Sequence, residues 1–69
     1  MSEAAARAAL DAHSHALMQQ TGAFACGIRQ EAGRWVIVLT VAGPPTAAPP
    51  ATAGGLPVRV EQGEAMSPG

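Results

Sequence analysis

The hydrophobic period of the chain changes once, at Gly22. Before it, Ala6, Leu10, His13 and Leu17 recur at i, i+4, i+7 and i+11, the spacing of the core-facing side of a helix. Ser2 suits the N-cap, Glu3 the first turn and Gly22 the position just past the last turn. Alanine, the strongest helix former, fills the interval. A helix over residues 3–19 is expected, with His13 half-buried in its stripe and Arg7, Asp11 and Ser14 towards water. A second stripe of alanines alone, Ala5, Ala9, Ala12 and Ala16, flanks the first.

After Gly22 the pattern alternates. Residues 23–29 read as a first strand, with Phe24, Cys26 and Ile28 on one bulky face and Ala25 and Gly27 on the other. Residues 30–34 are a short polar turn with one glycine, as in a hairpin. Residues 35–41 form a second strand: Trp35, Ile37, Leu39 and Val41 share one face, and Val36 and Val38 the other. Apolar on both sides, such a strand is expected to be central or covered twice. Residues 43–55, rich in proline, alanine and glycine, break the pattern and read as an extended, mobile connector. A third strand follows over 56–62, where Val58 and Val60 alternate with Arg59 and Glu61. Residues 63–69 carry no pattern and read as a flexible tail. The expectation is one α+β domain over residues 1–69, an N-terminal helix packed on a three-stranded, mainly antiparallel sheet. The place of the third strand stays open, because the connector reaches either neighbour.

At 69 residues, a chain buries only roughly 60% of its unfolded surface on folding, so its core is small. A net charge of −1, with four arginines and no lysine, removes the basic footprint of a nucleic-acid binder. No apolar run approaches the length of a membrane span, and the first residues lack the pattern of a secretory signal. The lone Cys26 cannot form an internal disulfide, which suggests a reducing compartment and a cytoplasmic location. Abundant alanine, glycine and proline, with no tyrosine or asparagine, fit the coding bias of a GC-rich bacterium.

Candidate chemistry is sparse. His13 and His15 lie two residues apart on a helix and so point about 160° from one another, which prevents their sharing an ion. Cys26 stands between Phe24 and Ile28 in a strand interior, the setting of a small core residue. The carboxylates Glu3, Asp11, Glu31, Glu61 and Glu64 fall on separate segments, and Gly54-Gly55 lacks the strand–loop–helix context of a phosphate loop. No catalytic, cofactor-binding or metal-binding residue is expected, and an enzyme is disfavoured. What remains is surface. Val36 and Val38 face away from the helix beside the small Ala23, Ala25 and Gly27, an apolar face expected to be uncovered. Together with the ridge Ala5, Ala9, Ala12 and Ala16 they are the candidate interface. The expected role is a non-enzymatic protein-interaction module or small subunit, working as a homodimer or by docking on a larger protein. Two alternatives stay open: a small thiol-dependent enzyme or redox protein using Cys26 with His13, and a small-ligand or metal carrier using the His and Met side chains.

Residues 15–61 present a helix with a late histidine and leucine, a strand of small residues and a glycine-bearing turn. The strand Trp35-Val36-Ile37-Val38-Leu39-Thr40-Val41 follows, then a loop and Gly55-Leu56-Pro57-Val58-Arg59-Val60. This succession resembles the small αβββ domain near the front of some bacterial trypsin-like proteins, also found free-standing. It departs from that pattern at residues 22–27, which replace a valine–glycine alternation. The resemblance implies an accessory domain without the protease domain, and it carries over no catalytic residue.

Overall fold

The Ser2 hydroxyl accepts the N–H of Ala5 at 3.1 Å, and helix α1 (Glu3–Thr21) starts from that cap. Its other end is Gly22, left-handed at φ 76, whose N–H returns to the carbonyl of Met18. The structure is a computed structural model that describes residues 2–63. The helix outruns the expected 3–19 because Thr21 belongs to it. The buried Thr21 hydroxyl donates to the Leu17 carbonyl at 2.8 Å and accepts from the Ala23 N–H at 3.3 Å.

Strands β1 (Ala25–Glu31) and β2 (Arg34–Val41) form an antiparallel hairpin through Ala32 and Gly33. Both turn residues have positive φ, 49 and 79, as a two-residue turn matched to strand twist requires. This turn fixes the register, from Glu31 opposite Arg34 to Ala25 opposite Thr40. A second hairpin joins β3 (Thr52–Ala53) to β4 (Leu56–Gln62) through Gly54 and Gly55. Strand β4 then lies parallel to β2, with Ile37 opposite Val58 and Leu39 opposite Val60. The sheet order is β1-β2-β4-β3.

The expected three-stranded, mainly antiparallel sheet is therefore four-stranded and mixed. The additional strand, β3, lies inside the segment read as connector. A parallel pair needs a crossover of a dozen or more residues, and residues 42–55 supply it. They cross the C-terminal end of the helix: the Thr46 N–H donates to the Thr21 carbonyl at 2.9 Å and the Gln20 amide to the Ala48 carbonyl at 3.1 Å. At the end of β4 the Gly63 N–H donates to the Val41 carbonyl. The rest of the expected tail, residues 64–69, lies outside the described residues.

The core lies between helix and sheet. Ala6, Leu10 and Leu17 meet Ile37, Leu39 and Val41 of β2, with Ala23, Ala53 and Leu56 closing the sides. Cys26, Ile28, Trp35, Val58 and Val60 pack around this group. The buried line of the helix runs Ala6–Leu10–Leu17–Thr21, the expected stripe extended to Thr21 and without His13. His13 is exposed rather than half-buried, and its ring lies beside the β3–β4 turn: a Cβ on Gly54 would stand 3.2 Å from His13 Cδ2 and 2.8 Å from the Ala9 Cβ. Phe24 also departs from expectation. It precedes the strand at a bend and is 43% exposed. Among the described residues no helix is long and apolar enough to cross a membrane.

Candidate functional site

Alternation along the strands, combined with the register, sets the residues of the sheet face turned away from the helix. Strand β1 places Ala25, Gly27, Arg29 and Glu31 there; β2 places Arg34, Val36, Val38 and Thr40; β4 places Arg59 and Glu61. The four charged residues of β1 and β4 join over the top of β2. Arg29 donates to Glu31 on its own strand and to Glu61 of β4 at 2.6 Å, and Arg59 donates to Glu31 at 3.0 Å. In this register the Arg29–Glu61 pair crosses above Val38, and the Arg59–Glu31 pair above Val36. Long arginine stems shield apolar surface while their heads stay wet, and Val36 is 0% exposed. The hydrogen bond from Arg29 is the main cause holding the Glu31 carboxyl below its ordinary range; partial desolvation opposes it, and the hydrogen bond from Arg59 adds to the lowering. Both acceptors hold the Arg29 guanidinium even more firmly protonated than usual.

The outer face is thus not the uncovered apolar surface expected from the sequence. Val36 is buried within a single copy, and of the two valines only Val38 keeps partial exposure. What stays open is a shallow apolar strip at the β1 side, lined by Ala25, Gly27, Val38 and Thr40. The exposed Phe24 lies towards the same end of the sheet: a Cβ on Gly63 would meet the Thr40 methyl at 2.6 Å and the Phe24 ring at 3.7 Å. Beside the strip runs the outer edge of β1, with which no strand pairs among the described residues. The closing pair of a two-residue hairpin is hydrogen-bonded, and such pairs alternate. The main-chain groups of Cys26, Ile28 and Gln30 therefore point away from β2, towards solvent.

On the alanine ridge, Ala5, Ala12 and Ala16 are exposed, whereas Ala9 is partly covered by the β3–β4 turn. Cys26 is a half-buried free thiol whose pKa is pushed up by burial, opposite to what a thiolate nucleophile needs. His13 lies on the helix by the β3–β4 turn and Cys26 on β1, at the opposite edge of the sheet. The structure does not bring the two together. Among the described residues no cluster of three or more His, Cys, Asp and Glu side chains could hold a metal.

The charged lattice does not follow from the charges taken strand by strand, although Arg29-Gln30-Glu31 and Arg59-Val60-Glu61 repeat one spacing in two strands. Residues two apart on a strand share a face, so the repeat is the signal that could have revealed it. The chain matches no protein-family model, and comparison with curated proteins and with solved structures found no similar protein.

Proposed function

We propose that this chain is a non-enzymatic interaction module of a bacterial cell, and that it works by accepting a strand at the outer edge of β1. The observation that carries the reading is the edge itself. Edge strands are normally blunted by charged side chains, proline, a bulge or a cover; β1, seven residues long, has no proline, and its two charges, Arg29 and Glu31, are engaged in the ion pairs of the outer face rather than along the edge. A strand added there satisfies the open main-chain groups, while the strip of Gly27 and Val38 offers side-chain contact. The occupant is a second copy in a two-fold dimer or a strand of a larger partner. An accessory role beside a larger protein also fits the resemblance carried by residues 15–61. Of the two valines of the expected interface, Val38 lines this surface and Val36 is buried. The ridge of Ala5, Ala12 and Ala16, with Ala9 partly covered, remains a second, weaker surface.

Gln30→Pro tests the reading. It removes a donor that points away from β2 and leaves the β1–β2 ladder intact. We expect sedimentation to show self-association for the parent chain and its loss in Gln30→Pro, with the thermal midpoint of the monomer little changed. A parent chain that stays monomeric through the high micromolar range, at full stability and with no partner strand bound, refutes the proposal.

A further inference from the structure

The open edge of β1 is bounded at both ends. At its start the Phe24 N–H turns inward and donates to the Thr40 carbonyl at 3.0 Å. At its finish Ala32 leaves the strand with φ 49. Between them the outward main-chain groups belong to Cys26, Ile28 and Gln30, centred on Ile28 in the middle of Ala25–Glu31. A strand longer than β1 finds no further partners on this edge. Another β1 presents the same outward groups and nothing in excess.

One two-fold register uses all of them. With the axis at Ile28, that residue faces Ile28 of the second copy, and Cys26 and Gln30 face its Gln30 and Cys26. These are three pairs of two hydrogen bonds each. Moving the axis to Gly27 sets Gln30 against the inward-turned Phe24. Moving it to Arg29 sets Cys26 against the turn residue Ala32, and Arg29 against Arg29, a like-charge pair directly opposite. The register at Ile28 has no such conflict. On the outer face it sets Arg29 against Gly27 of the second copy and Glu31 against its Ala25, so each charged side chain meets a small one. The shallow strip beside Ala25 and Gly27 gives those longer side chains room. The axis stands perpendicular to the sheet, so both helices stay on one face. Helix α1 touches both β1 and β2. The two helices are therefore two strand spacings apart, roughly 10 Å, the distance of packed helices.

We infer that the occupant of the β1 edge is a second copy of this chain, paired antiparallel about a two-fold axis at Ile28, so that the two sheets run on as one. The inference rests on the edge reading above and adds to it the occupant and the register.

The register is read by mixing two variants, Gly27→Cys and Arg29→Cys, each in a Cys26→Ser chain, under mild oxidation. A Cβ at Gly27 meets open space, and facing residues of a non-hydrogen-bonded pair approach closely enough for a disulfide. The mixed disulfide is expected to exceed each homotypic one by more than the twofold that random pairing gives. The unaltered chain supplies a reading that depends on no variant. Amide exchange at Cys26, Ile28 and Gln30 should slow about tenfold once about 90% of copies are paired. A dominant homotypic disulfide in either variant would overturn the register and leave the edge reading standing. Association without slower exchange at those three amides would overturn both. A chain that stays monomeric while its edge takes a foreign strand overturns this inference alone, and one that takes neither ends the edge reading as well.

Discussion

Ala32 holds φ at 49 although it is not a glycine. A Cβ in the left-handed region costs roughly 1–2 kcal/mol, and asparagine tolerates that region better than alanine. The β1–β2 turn is thus an asparagine–glycine turn with the wrong first residue. Ala32→Asn is expected to stabilise the chain by about 0.5–1 kcal/mol in urea titrations, with the sheet unchanged. Ala9 and Gly54 show the opposite relation. Each is small because the other is close, and their contact lets the β3–β4 turn lie on the helix. Several single residues could not be placed from the sequence. His13 fits the periodicity of the buried stripe, and only the way the helix rests on the sheet puts it outside. Phe24 fits the alternation of β1, but the strand starts one residue later.

The elements themselves were legible. Ser2, Glu3 and Gly22 mark the helix because each answers unpaired main-chain groups at a helix end. The glycine-bearing turn and the β-branched run of β2 mark the hairpin. Strand β3 was hidden: Thr52-Ala53 has no period to detect, and it is a strand only because β4 lies beside it. The lattice on the outer face also belongs to elements, since it joins β1 to β4 across β2, and it makes a prediction about acid. Because the folded-state pKa of Glu31 is lowered, its stabilising contribution is complete above the ordinary carboxylate value of about 4.3 and is lost as the pH falls through the lower folded value. Thermal midpoints should therefore decline below about pH 5. In Glu31→Gln that decline should be shallower, and molar salt should shrink the difference between the two chains. An identical acid profile for parent and variant would show that the ion pairs contribute nothing.

Across the whole molecule, one shallow layer of helix on one mixed sheet leaves β1 open at one side and a two-residue strand at the other. The parallel β2–β4 pair could not be read from the sequence, because it follows from where the crossover sets β4 down. That placement also sets what the sheet lacks when the end of the chain is taken away. In sequence β4 follows both of its neighbours, yet in space it stands between them. Without it the sheet loses its middle, β2 presents Ile37 and Leu39 along an unfilled seam, and helix plus hairpin are an adhesive half-domain. A fragment of residues 2–43 should accordingly bind hydrophobic dyes and precipitate. Supplied in trans as a separate peptide, residues 51–63 should enter the seam and rescue it, a complementation that native-state amide exchange would register as new protection at Ile37 and Leu39.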